Sequence, residues 1–201
     1  MRVPSQSRSI PSTGMPCRVR GFTMVELMIT LAVAAILTMI AVPSFSNMIN
    51  ANRLTTATNA MVGALNSARM EAIKRNGSVQ FCSNVAATNT AGASDALGNA
   101  CATNAGAVLA LTGTTVTQVL AAPSALSIPS IQVRGTMAAI RYNGTGLGYA
   151  PGSTTPFGTG ANGSTVVELC STALSSNNDI QIDMATGSII TSSPPSTVTC
   201  P

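Results

Sequence analysis

Histidine and tryptophan are absent from this 201-residue sequence, and charge and aromatic rings are scarce, at 8% and 3% of residues. Without histidine the chain lacks the commonest general base and the commonest metal ligand. Paired carboxylates are reduced to Asp179 and Asp183, which on a strand point to the same face about 13 Å apart and read as solvated positions. The glycines between 144 and 163 lack the Lys-Ser/Thr pair and following helix of a phosphate loop. The five cysteines contain no Cys-x-x-Cys ligand pair, and nothing in the placing of the methionines points to copper. No enzymatic chemistry, no cofactor and no metal site is expected.

What is abundant is apolar surface, 45% of residues, against a formal charge of +4. A basic chain invites a nucleic-acid or anionic-lipid reading until the charges are placed. Arg2, Arg8, Arg18 and Arg20 all precede Gly21. After it, 6 basic residues face 6 acidic ones, so the excess belongs to the first 21 positions.

Residues 1–21 are rich in Ser, Pro and Arg and show no apolar periodicity, as a disordered leader would. Residues 22–42 are nearly all apolar, with Glu26 the only charge. At ~1.5 Å per residue they span roughly 30 Å, the thickness of a bilayer core. The arginines on their N-terminal side keep residues 1–21 cytoplasmic and send the remainder across the membrane.

Beyond Pro43 the pattern becomes periodic. Leu54, Met61, Leu65, Ala68 and Ala72 mark the stripe of an amphipathic helix. Glu71 and Arg75 are ordered for an i,i+4 pair, and Asn76-Gly77 supplies a stop. Pro43 removes one backbone hydrogen bond and predicts a bend rather than a break, because the helical pattern resumes at once. From residue 78 onward short β-like runs alternate with Gly, Ser, Thr, Asn and Pro. Strands are predicted at 78–82, 107–111, 114–120, 131–133, 137–142, 165–170, 180–184 and 188–191, with a hairpin turn at Ala185-Thr186-Gly187. The stretches 83–106 and 143–164 are predicted to be long loops.

Cys17 falls in the leader, which leaves Cys82, Cys101, Cys170 and Cys200 in an exported domain, where disulfides are favoured over a metal. Of three possible pairings, Cys82 with Cys101 and Cys170 with Cys200 is preferred, because each closes a local loop worth ~3 to 4 kcal/mol in the chain-entropy model. The second pair would tie the Pro-rich tail, 192–201, onto the β-domain.

Gly21-Phe22-Thr23-Met24-Val25-Glu26, preceded by Arg18 and Arg20 and followed by the apolar run, resembles the type III signal of type IV pilins and pseudopilins. A secretory signal is cut after its apolar segment; here the small and basic residues precede it, so the apolar helix stays in the mature chain. The resemblance implies that prepilin peptidase cuts after Gly21 and methylates the new amine of Phe22. It also implies that Glu26 is the acidic residue that sets subunit register against a neighbour's Phe22 amine, and that Pro43 is the helix-bending proline. Residues 68–76 and 79–82 look like the GspH/FimT branch, and Ala41-Val42-Pro43-Ser44-Phe45 favours the FimT pilus subtype.

The resulting expectation is an α+β, pilin-like fold: a leader at 1–21, the transmembrane half of a long N-terminal α-helix at 22–42, its amphipathic periplasmic half at 43–76, and a C-terminal antiparallel β-sheet domain at 78–201. The function implied is that of a minor type IV pilin in the inner membrane, with prepilin peptidase and other major and minor pilins as partners. A type II secretion pseudopilin is the alternative, and a DNA-binding competence pilin a second one. DNA binding is possible but disfavoured. Some FimT-like pilins bind DNA through arginines after a Thr-Gly turn, whereas Thr186-Gly187-Ser188-Ile189-Ile190 carries none, and only Arg134 and Arg141 occur in the β-half. Both are expected to be satisfied strand-edge residues.

Overall fold

Thr23 starts the one long helix. In the computed structural model, which describes residues 21–159 and 164–201, its hydroxyl accepts the Glu26 N–H at 3.2 Å and its carbonyl accepts the Leu27 N–H at 3.1 Å. These are the bonds of an N-cap. Thr23 and Glu26 also have the Thr-x-x-Glu spacing of a capping box, and the acid in the first turn complements the helix dipole. Helix α1 covers Met24–Arg75. The expected leader, apart from Gly21, lies outside the described residues.

The chain divides into two units, Met1–Val42 and Pro43–Pro201. In the first unit every described residue is exposed. Beyond Thr23, the hydroxyls of this apolar stretch bond to the helix's own backbone: Thr30 donates to the Leu27 carbonyl at 2.9 Å and Thr38 to that of Ala35 at 3.0 Å. Neither therefore presents an unsatisfied donor to an apolar surrounding.

In the second unit α1 buries Leu54, Ala57, Thr58, Met61, Ala64, Leu65, Ala68 and Ala72. The stripe has the spacing of one helix face, and its alanines let the backbone come close to the sheets. Its end is specified locally. Asn76 takes a left-handed conformation, φ 47°, while Asn76 N–H reaches the Ile73 carbonyl and Gly77 N–H reaches that of Ala72, each at 3.1 Å. This is a Schellman motif with asparagine in the position usually held by glycine. Glu71 and Arg75 pair at 2.6 Å one turn apart, as the spacing predicts.

Two antiparallel sheets share the core with this helix. The first has the order β3-β2-β1-β5-β6, from β1 (Val79–Phe81), β2 (Val108–Thr112), β3 (Thr115–Leu120), β5 (Ile140–Tyr142) and β6 (Gly148–Tyr149). The second runs β4-β7-β8-β9, from β4 (Ile131–Val133), β7 (Ser164–Ser171), β8 (Asp179–Ala185) and β9 (Ile189–Ser192). Helix residues, Val79 and Phe81, Val108, Ile140 and Tyr142 of the first sheet, and Ile131, Val167, Leu169 and Ile182 of the second form a single buried cluster. The helix thus forms a layered α+β domain with both sheets.

Several expectations need correction. The stretch 83–106 is not a plain loop: it holds α2 (Ala86–Asn89) and α3 (Ala96–Cys101). Fully buried Asn89 organises it. Its amide donates to the carbonyls of Ser83 and Ala102 at 3.2 and 2.8 Å, and its oxygen accepts the Ser83 N–H at 2.7 Å. β6 lies inside the second expected loop, and a short 3-10 turn occupies Ser124–Ser127. The expected strand at 137–142 shortens to Ile140–Tyr142. Asp179 is not solvated but 2% exposed, because the C-terminal residues fold back beside β8, where Asp179 and Ser196 exchange backbone bonds of 3.1 and 2.9 Å.

Two predictions follow from the packing. Leu65→Ala removes a fully buried side chain and lowers stability by about 3 kcal/mol in urea titrations of the full chain in detergent micelles. Gly144→Ala sets a Cβ 3.0 Å from the Asn76 backbone and lowers the urea midpoint, whereas Gly113→Ser, which meets no neighbouring atom within 4 Å, lowers it less, by only the strain that a side chain adds at a left-handed position.

Candidate assembly site

Gly21, Phe22, Thr23 and Glu26 lie together at the start of α1, with Phe22 75% exposed. Glu26 makes no ion pair with any described residue. Its carboxylate therefore stands at the first turn of a helix whose surroundings are Met24, Val25, Leu27, Met28 and Ile29, all exposed. A charge in that setting requires either water, headgroups or an opposite charge from elsewhere. Among the described residues, α1 is the one helix long and apolar enough to cross a membrane. An all-round apolar helix of this kind is stable only when lipid or other helices surround it. Pro43 lies inside α1.

The four remaining cysteines form two bonds in the second unit. Cys82 joins Cys101 with Cα atoms 5.5 Å apart, and Cys170 joins Cys200 at 5.9 Å. Both separations fall in the usual disulfide range. The first closes the segment that carries α2 and α3 onto β1. The second fastens the C-terminus beside β7.

The two arginines of the β-half are engaged. Arg134 pairs with Glu168 at 2.5 Å, and Arg141 with Asp95 at 2.6 Å. Arg141 also donates through Nε to the Gln80 side-chain oxygen at 2.9 Å. It lies on β5, between β1 and β6, so it is an interior-strand residue rather than the edge residue expected. Asp95 is held below the ordinary carboxylate range: the Ala91 and Gly98 amides and the Arg141 guanidinium outweigh the opposing effect of burial. Among the described residues no group of three or more His, Cys, Asp or Glu side chains converges.

Residues 57–187 match the family described as Type II transport protein GspH, and residues 17–42 match the prokaryotic N-terminal methylation motif. The chain belongs to the GspH family. The family match covers about two thirds of the sequence and includes the membrane-distal stripe of α1 and strands β1 to β8. The methylation motif covers Gly21, Phe22 and Glu26, so this GspH-family chain is type IV pilin-like at its N-terminus and has a pilin-type membrane anchor. Searches of curated proteins and of solved structures returned no match. The family is one of structural pilin and pseudopilin subunits, which assemble with other pilins after prepilin processing.

Sequence reasoning quoted Thr23 within the motif but missed its role as the cap whose hydroxyl fixes the first turn and thereby the position of Glu26. The Thr-x-x-Glu spacing was the available signal. It also missed Asn89 and Asp179, whose burial arises from distant chain segments and leaves no local mark.

Replacing Cys82 and Cys101 together by serine lowers the stability of the β-domain by about 3 kcal/mol, read from urea midpoints of the oxidised proteins. Reductant lowers the stability of the unsubstituted chain by more than this, since it opens both bonds, and leaves unchanged that of a variant in which Cys82, Cys101, Cys170 and Cys200 are all replaced.

Proposed function

We propose that this chain is a minor type IV pilin of the FimT-like kind, a non-enzymatic subunit for assembling or priming a fibre. Prepilin peptidase removes residues 1–21 between Gly21 and Phe22 and methylates the new amine. The apolar half of α1 then holds the protein in the inner membrane with its β-domain in the periplasm, and Pro43 bends the helix where it leaves the bilayer. The observation that carries this reading is the exposed apolar helix with Glu26 in its first turn and no described partner for it.

The physical logic is an exchange of surroundings. A carboxylate at the centre of a membrane helix costs ~2.5 to 3.5 kcal/mol on insertion scales, and a partner relieves that cost. The methylated amine of Phe22 keeps its proton and remains a hydrogen-bond donor. On an adjacent subunit it meets Glu26 when the two helices are staggered by about one turn, so one ion pair sets the axial register. The rest of the contact comes from apolar helix surface, which gives affinity without direction.

A type II secretion pseudopilin is the second reading, favoured by the family match over residues 57–187, and it uses the same device. DNA binding has less support, because Arg134 and Arg141 are both paired with carboxylates and phosphate contacts need available cations.

Protein recovered from membranes begins at methylated Phe22 by mass spectrometry; a mature form beginning beyond Val42 overturns the reading. Glu26→Gln leaves the protein processed and membrane-bound, but lowers its recovery in sheared fibres about tenfold, the equivalent of about 1.4 kcal/mol. Deleting the chain abolishes surface fibres if the pilus reading is right, and leaves fibres intact while exported proteins accumulate in the periplasm if the pseudopilin reading is right.

A further inference from the structure

The family match ends at Gly187, and the residues beyond it do something unusual. After β9 the chain turns along the start of β8 and is bonded to it at every opportunity. Ser193 N–H reaches the Gln181 carbonyl at 2.8 Å, and the Gln181 N–H returns to the Ser193 hydroxyl at 3.0 Å. Asp179 and Ser196 exchange two backbone bonds. Asn178 holds Val198 through both ends of its amide, each at 2.9 Å, and the Asn177 N–H reaches the Thr197 hydroxyl at 2.9 Å. The strap is fixed at one end by β9 and at the other by Cys200.

Under the strap sits a carboxyl group in a setting that does not suit a carboxylate. Asp179 is 2% exposed, and its Oδ1 has no hydrogen-bond partner among the described residues. Its Oδ2 accepts one bond, from the Ser196 hydroxyl of the strap at 3.2 Å. In the β7/β8 register Asp179 lies opposite Cys170, two residues from Glu168, so Glu168 and Asp179 share one sheet face as diagonal neighbours. Diagonal pairs of this kind lie about 7 to 8 Å apart, a spacing that side chains bridge. Two ionised carboxylates are acceptors only. A contact between them is satisfied when one carries a proton, and Oδ1 of Asp179 is the oxygen left without a donor.

We propose that residues 193–199 form a proton-controlled strap, closed on β8 while Asp179 is protonated and donating to Glu168, and loosened when Asp179 ionises. The remaining charges facing the site are few. Arg134, from the segment after β4, is already bonded to Glu168. Asp183 lies four residues along β8, on the same face but about 13 Å away. Cys170 and Cys200 are joined and do not titrate. Ionisation of Asp179 would therefore bury a second negative charge beside Glu168 with one arginine between them.

Burial, reinforced by the Glu168 charge, pushes the Asp179 carboxyl above its ordinary value, against the pull of Ser196 and Arg134. The closed state thus holds the proton more tightly than the open one. Its stabilisation is complete below the ordinary Asp range and is lost as pH rises through the raised value. Because β9 and the disulfide hold both ends, the opening is a local one that leaves the rest of the domain folded.

The test is exchange of the Ser193, Ser196 and Val198 amides in the full chain in detergent micelles, corrected for intrinsic rates, at about pH 4.5 and about pH 8. Protection in the unsubstituted chain falls at least several-fold at the higher pH. In Asp179→Asn, whose amide can donate to Glu168 and does not ionise, protection stays at the low-pH level throughout. Equal protection at both pH values in the unsubstituted chain, or an equal fall in Asp179→Asn, overturns the proposal. If Asp179→Asn does not fold, carboxyl carbon NMR of the unsubstituted chain decides. An Asp179 signal titrating above the ordinary Asp range supports the strap, and one titrating within or below it overturns it.

Discussion

The membrane-distal domain depends on how closely α1 can approach its two sheets. Ala57, Ala64, Ala68 and Ala72 are all at or near zero exposure. Where the helix carries nothing beyond Cβ, the larger groups of the cluster, Phe81, Tyr142, Leu169 and Met184, have room between the layers. Leu54, Met61 and Leu65 then lock the helix against rotation. A helix placed this way gives two short sheets one common core, which neither could form alone: three strands of the first sheet and three of the second contribute to it, and several of these are only three residues long.

The anchoring half follows the opposite rule. It has no inward face, since residues 22–47 are exposed throughout. Such a surface has no preferred rotation in lipid, so any directionality must come from a rare polar group. Glu26 is the only charged one in this stretch. The domain beyond it is nearly as economical with charge. Its salt bridges involve Glu71, Asp95 and Glu168, each with a basic partner close at hand. A surface with so few free charges meets other proteins through shape and neutral polar groups rather than through long-range electrostatic steering.

The parts of this architecture that could be read from residues alone are those whose causes are local. The apolar run, the stripe from Leu54 to Ala72, the Glu71–Arg75 pair and the Asn76-Gly77 stop each depend on neighbours within a few positions, and the strand Ile131–Val133 was bounded by its own β-branched residues. The parts that could not be read have distant causes. α2 and α3 are too short to show an apolar period, and Asn89, the Asp95 cap on Gly98 and the Cys82–Cys101 bond hold their backbones in place. β6 is two residues long, too short to alternate. Asp179 looked like a surface acid because nothing near it indicates that residues 193–200 return to cover it. At the N-terminus the roles proposed for Gly21, Phe22 and Glu26 rest on a recognisable phrase, whereas the cap that positions Glu26 came from geometry.

The interlocking of helix and sheets also restricts how this chain can vary in length. Each residue of an α-helix advances its side chains by about 100°, so a single insertion between Leu54 and Ala72 would swing one part of the alanine face away from the sheets. The Schellman end, with Asn76 packed under Gly144, fixes the far terminus as firmly. Insertions and deletions are therefore tolerable on the solvent side of the β-domain and not between Leu54 and Asn76.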